Sequence, residues 1–128
     1  MKKTASSAQD LLARRLASGL NTPLPHDISE RLRAARVAVV GIGGVGSWVA
    51  EALARSGVAA LTLVDLDHVA ESNINRQVHA LAHTLGQAKV LAMKDRIAEI
   101  HPGCAVHDVD EFVDEQNVAA LLEAQPLD

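Results

Sequence analysis

The sequence predicts an α/β fold: a mostly parallel, Rossmann-like sheet with flanking helices, preceded by a short helical N-terminal arm. Three observations predict it. Continuous β-rich runs at residues 37–40 and 61–64 bracket a glycine-rich turn and a helical stretch, which together make one βαβ unit. Further on, Val90, Met93, Ile97 and Ile100 recur at a 3-4-3 spacing that marks one face of a helix. Finally, 128 residues with 48% apolar content can bury one core but not two.

Taken in order, Ser7 and Asp10 form an S-x-x-D capping box ahead of Leu11, Leu12 and Leu16, predicting a first helix that ends near Gly19. Residues 21–25 break it. Asp27 and Glu30 repeat the capping logic, with Ile28 and Leu32 sharing a face of a short second helix. Residues 37–40 follow as a strand expected to be buried on both faces. Residues 47–56 read as a helix ended by Gly57, and residues 61–64 as a second buried strand stopping at Asp65. After a polar stretch from Asp67 to Arg76, residues 87–100 make a helix halted by Pro102. Residues 105–109 form a third strand. Asp114 is the expected N-cap of a last helix carrying Val118, Leu121 and Leu122, which stops near Pro126. Two parts result: a helical, basic arm over residues 1–35 and an α/β part over residues 36–128.

Composition narrows the function classes. Eight Gly, four Pro and a single Cys, Cys104, exclude collagen-like, low-complexity and disulfide-scaffold chains, and a lone cysteine suits a reducing cytoplasm. No apolar run approaches the roughly 20 residues of a membrane span, and Met1-Lys2-Lys3 leads into no apolar signal segment, so a soluble, untargeted protein is expected. One Phe, one Trp and no Tyr leave no stacking platform for single-stranded nucleic acid. The net charge of -4 averages two unlike parts. Seven Lys/Arg stand against three Asp/Glu up to Arg36, and five against thirteen beyond it. The basic leader is a solvated arm or an electrostatic contact for RNA or a partner chain.

The chemistry begins at Gly41-Ile42-Gly43-Gly44-Val45-Gly46-Ser47. Gly41 permits the turn off the strand, Gly43 lets backbone N–H groups approach a phosphate, and Gly46 allows close helix–strand packing. The motif sits between a predicted strand and a predicted helix. Asp65 ends the next strand, where a carboxylate accepts hydrogen bonds from ribose hydroxyls. A dinucleotide dehydrogenase has no need of cations just beyond that strand, whereas nucleotidyl transfer must offset polyphosphate charge. Arg76 could bridge phosphate oxygens, Lys89 at a helix start could place a point charge on them, and Asn73 could orient them. Singly, Arg76 would read as an ion-pair partner of Glu71 or Asp67, and Lys89 as a solvated helix residue.

These residues resemble a known family. The G-I-G-G-V-G-S loop, L-V-D-L-D, S-N-I-N-R-Q and the G-x-x-K helix start are similar to the ubiquitin-activating-enzyme-like adenylating proteins of the ThiF/MoeB/HesA group. Asn75-Arg76-Gln77-Val78-His79-Ala80-Leu81, Met93-Lys94-Asp95-Arg96-Ile97 and Ile100-His101-Pro102 resemble most its tRNA threonylcarbamoyladenosine dehydratase branch. The likeness runs from about Arg33 to Leu122.

It implies ATP binding and adenylation of a carboxylate with release of pyrophosphate. In the dehydratase branch that carboxylate belongs to threonylcarbamoyladenosine in tRNA, which then cyclises with net loss of water. Gly41, Gly43, Gly44 and Gly46 would line the phosphates, Asp65 would hold the ribose, and Asn73 would contact the phosphate chain. Arg76 and Lys89 would act on that chain as the catalytic cations, and Asp67 and Gln77 also match. The resemblance further implies a homodimer, and a magnesium-binding acid beyond this chain's C-terminus rather than Asp128. By that pattern the chain is the C-terminally incomplete first half of a larger catalytic domain. Neither a metal site nor a C-x-x-C pair is read here. Arg14 or Arg15 could stand in for the family's N-terminal arginine.

Other readings are kept beside this one: an adenylyltransferase acting on the C-terminus of a ubiquitin-like sulfur carrier, an NAD-binding oxidoreductase half-domain, and a non-catalytic nucleotide-binding fragment. His79 and His83 read as packing or surface histidines, Cys104 as a small buried residue, Trp48 as core, and residues 108–115 as a solvated acidic loop.

Overall fold

The computed structural model describes residues 25–128. The expected first helix over residues 7–19, its Ser7–Asp10 cap, Arg14 and Arg15 lie outside the described residues, as does most of the break at 21–25. Helix α1 spans His26–Ala34, β1 Arg36–Val40, α2 Gly46–Arg55, β2 Ala60–Val64, α3 Lys89–Ile100, β3 Ala105–Val109 and α4 Val118–Glu123. Two 3-10 turns, Glu71–Asn73 and Ala82–Thr84, occupy the long connection between β2 and α3.

The three strands form a parallel sheet in the order β1-β2-β3. Their registers are flush, with Arg36 opposite Ala60 and Ala105, and Val40 opposite Val64 and Val109. All three therefore stop at one level, and the residues that leave that edge are Gly41, Asp65 and Asp110. In parallel sheets this carboxyl edge is where ligands bind.

β2 alone matches the expectation of a strand buried on both faces, with four of its five residues buried. On β1 only Val39 is buried and Val40 is 55% exposed, which corrects the reading of residues 37–40. The reason is position: β2 is central, whereas β1 is an edge strand of this sheet. The helical face read from spacing is correct, since Val90, Met93 and Ile97 of α3 are fully buried. They pack in one cluster with Leu61 and Leu63 of β2 and with Ala50 and Ala54 of α2. Between α2 and α3, the buried Glu51 receives the Arg96 guanidinium on both oxygens, with Arg55 at 3.7 Å.

Helix ends differ from expectation where capping was inferred. α1 starts at His26 after Pro25 with no side-chain cap, so Asp27 lies inside its first turn, where a negative charge suits the helix dipole. α3 starts two residues later than read, at Lys89. α4 starts at Val118 after Asn117. Asp114 still caps locally: its Oδ1 accepts the N–H groups of Gln116 and Asn117 and starts the turn ahead of the helix. Gly57 follows α2 with φ of 84°, the left-handed residue that ends it.

Candidate functional site

The site is built where β1 gives way to α2. Gly41 continues the ladder through its N–H to the Val64 carbonyl (2.8 Å), then turns with φ of 91°, a conformation glycine adopts without strain. A Cβ on Gly46 would be driven into the Gly41 carbonyl, so the first turn of α2 can lie against the strand only with glycine there. Gly43 and Gly44 differ. A Cβ would meet nothing nearer than 3.9 Å at Gly43, and at Gly44 only Arg76 at ordinary contact distance. No neighbour in the protein requires glycine at these two positions. The backbone N–H groups of Gly43, Gly44 and Val45 have no acceptor among the described residues, and α2 has no side-chain cap. Unpaired amides at a helix start are an anion cradle.

Asp65 is half-buried and fixes this loop. Its Oδ2 accepts the Ile42 N–H (2.7 Å) and its Oδ1 accepts the Asp67 N–H (2.8 Å). A carboxylate has about four lone-pair sites, so two remain for other donors. Asp65 and Gly41 line a cavity of about 310 Å³ with Leu66, Asp67, Phe112 and Val113. Phe112, the chain's one phenylalanine, is 70% exposed on its wall.

The segment after β2 folds back over the loop. Asn73 is buried and its Oδ1 accepts the Ala70 N–H (2.8 Å), which shapes the turn. Arg76 lies along Gly44, its guanidinium Nη1 donating to the Ser72 carbonyl and Asn75 Oδ1. It has no ion pair with Glu71 or Asp67, contrary to the single-residue reading. Gln77 is buried near Gly43 with Oε1 unpartnered. Lys89 opens α3, is 7% exposed, and its backbone N–H donates to the Asp67 carbonyl. Its ammonium has no hydrogen bond or ion pair among the described residues. The structure thus brings the glycine loop, Asp65, Asp67, Arg76 and Gln77 together, with Asn73 shaping the turn before Arg76 and the start of α3 fastened to Asp67.

Two residues escaped the sequence reading. Trp48 is not core: it is 53% exposed and its indole N–H donates to the Arg76 carbonyl (2.7 Å), tying α2 to the Arg76 loop. His79 is a packing residue as read, but its Nε2 lies 2.7 Å from the Ile42 carbonyl inside the glycine loop. The one available signal was a single polar side chain within Val78-His79-Ala80-Leu81, the pattern of a buried group held by a hydrogen bond. His83 is exposed. Cys104 is half-buried with its thiol pushed up to about 11 by burial, which leaves it inert. Asp108 is not loop but part of β3, paired with Lys94 at 2.8 Å; the loop from Asp110 to Glu115 is largely exposed.

Among the described residues no group of three or more His, Cys, Asp and Glu could hold a metal ion. Asp128 pairs with Arg36, at the end of β1 opposite the glycine loop. No helix among the described residues is long and apolar enough to cross a membrane.

The ThiF family model matches residues 16–128. The chain is 56% identical over 88 residues to the tRNA threonylcarbamoyladenosine dehydratase of Escherichia coli, covering 69% of this chain and 33% of that protein. It is 55% identical over 94 residues to the Bacillus subtilis protein of the same name, covering 73% and 37%. Against the E. coli molybdopterin-synthase adenylyltransferase, identity is 39% over 101 residues, covering 79% and 41%. The crystal structure of the E. coli dehydratase in complex with ATP superposes with a TM-score of 0.82 at 40% identity, covering 98% of this chain and 49% of that one. The matched segments span about a third of the length of these dehydratases, and the structural match, over nearly the whole chain, about half.

Proposed function

The chain belongs to the ThiF family, and from that membership we propose that it is the nucleotide-binding part of an ATP-dependent carboxylate-adenylating enzyme of the tRNA threonylcarbamoyladenosine dehydratase type. One observation carries the reading: unpaired loop amides and the guanidinium of Arg76, which has no ion-pair partner among the described residues, share a cradle with Asp65. That cradle suits a nucleoside polyphosphate better than a dinucleotide.

In this reading Gly41, Gly43, Gly44 and Gly46 carry the phosphates on backbone N–H groups, and Asp65 accepts the ribose hydroxyls on its free lone pairs. Arg76 and Lys89 neutralise charge as the acceptor carboxylate attacks the α-phosphorus, the bridging P–O bond breaks and pyrophosphate leaves. Asn73 and Gln77 hold the loop that aims Arg76, and Asp67 anchors Lys89 through its carbonyl. No step is assigned to magnesium on these residues. Modified tRNA is the proposed acceptor, on the greater identity to the dehydratases than to the adenylyltransferase. Residues 1–35 act as a basic arm toward the RNA, residues 36–128 bind the nucleotide, and the working unit is a homodimer in a reducing cytoplasm.

Titration calorimetry of the chain with ATP and with NAD tests the nucleotide class: ATP binds more tightly, and a preference for NAD sinks the reading. ATP–pyrophosphate exchange tests the acceptor. Stimulation by threonylcarbamoyl-modified tRNA supports it, and stimulation by a carrier-protein C-terminus instead moves the chain to the sulfur-carrier class.

A further inference from the structure

The glycine loop is held from two sides at one residue. Ile42, fully buried, gives its N–H to Asp65 on one side and takes His79 Nε2 on its carbonyl on the other. His79 is itself 1% exposed, and its backbone carbonyl is fastened by the Thr84 hydroxyl (2.8 Å). The peptide joining Ile42 to Gly43 is trans and planar, so its C=O and N–H point in opposite directions. With the carbonyl drawn inward to the buried imidazole, the Gly43 N–H is turned away from the core, and it has no acceptor among the described residues.

We propose that His79 is a positioning residue for the phosphate cradle: its Nε2–H holds the Ile42 carbonyl inward and so keeps the Gly43 N–H aimed at the bound anion. The inference rests on the nucleotide reading above and adds a residue to it. The neutral imidazole suits the task. Nε2 must donate, which leaves Nδ1 bare, and Nδ1 is buried without a partner. A second proton would place an N–H there with no acceptor. Besides burial, the Ile42 carbonyl and Asp65 favour charge on the ring, and Lys89 and Arg96 disfavour it. Burial dominates and lowers the pKa of His79.

Three measurements on the full chain test this. The ¹⁵N spectrum of the imidazole reads the tautomer without any variant: Nε2 is protonated, and a protonated Nδ1 with bare Nε2 overturns the proposal. On ATP addition the Gly43 amide resonance shifts among the largest in the chain, and an unmoved Gly43 amide overturns it. In calorimetric titrations His79→Leu loses about tenfold in ATP affinity, the worth of one hydrogen bond, but under about twofold for adenosine, which lacks phosphate. His79→Gln, which keeps a donor, recovers most of the loss. A folded His79→Leu that binds ATP as wild type does, or that loses adenosine equally, refutes the positioning role alone. If His79→Leu does not fold, the tautomer and the Gly43 shift decide. Wild-type chain that binds ATP no more tightly than adenosine is a separate outcome, since there the cradle itself fails.

Discussion

The two ends of β1 are built from the same contact and have opposite standing. At the carboxyl end, the Asp65 carboxylate accepts the Ile42 N–H at 2.7 Å; at the amino end, the Asp128 carboxylate accepts the Arg36 N–H at 2.9 Å and takes the Arg36 guanidinium as well. Counted as bonds, the amino end is the richer. Yet Ile42 is fully buried and is gripped again by His79, whereas the side chains of Arg36 and Asp128 are 42% and 54% exposed. Water competes for every contact at the amino end and for few at the other. Burial, more than the number of contacts, determines which end of the strand is fixed, and the fixed end is the one that carries the site.

Breaking the fixed end has the largest effect. Gly46→Ala drives a methyl group into the Gly41 carbonyl, backbone against backbone, and neither can yield without moving the strand or the helix. Urea unfolding should show a loss of about 3 kcal/mol, with ATP binding lost in parallel. Asp65→Asn follows. The amide keeps one acceptor oxygen but presents an NH₂ to a backbone N–H that had been satisfied, costing about 1–3 kcal/mol. It should also weaken ATP and adenosine alike, because both carry the ribose. His79→Leu, acting through the phosphate cradle, separates the two ligands, so the pair of variants locates which half of the nucleotide each residue serves.

Much of this region was legible in the sequence because its signals are local. The glycines, the strand before them and the carboxylate after the next strand follow each other within about 24 residues, and periodicity was enough to bury Val90, Met93 and Ile97. What was not legible depends on neighbours. β1 has the same apolar composition as β2, but one is at the sheet's edge and the other at its centre, and strand order is not written in either run. Trp48 looked like core by type; its exposure follows from where α2 turns, and its indole N–H instead binds the Arg76 carbonyl. The bond from His79 to Ile42 spans 37 positions, and although a polar side chain among apolar neighbours marks His79 as a buried group, nothing local names its partner. Cap signals misled twice: at Asp27 a D-x-x-E pattern lies inside a first turn, and Asp114, read as an N-cap, caps the turn ahead of the helix instead.

Smaller effects belong to the exposed surface. Lys94 pairs with Asp108 of β3 at 2.8 Å with both side chains partly exposed, and the Lys94 ammonium holds the Asp108 carboxyl below its ordinary range. A carboxyl depressed in the folded state stabilises above its unfolded pKa, and that stability is lost as pH falls through the folded value. Asp108→Asn should therefore cost about 0.2–1 kcal/mol at neutral pH. The cost should vanish on acidification below about pH 4.

The amino end of β1 supplies the sharpest check, because it is where the least should happen. Hydrogen bonding to Arg36 lowers the Asp128 pKa and raises that of Arg36. The sign for Asp128 is again stabilisation present at neutral pH and lost on acidification; for Arg36 it is stabilisation lost only in strong alkali, outside any working range. Both side chains are about half exposed, so the attraction is screened by salt and offset by the ordering of a long side chain. Asp128→Ala should leave the urea midpoint within experimental scatter at 0.15 M salt and should leave ATP affinity unchanged. If instead it destabilises the chain as much as Asp65→Asn does, then exposure does not rank these contacts, and the two ends of β1 must be treated as equal anchors of the strand.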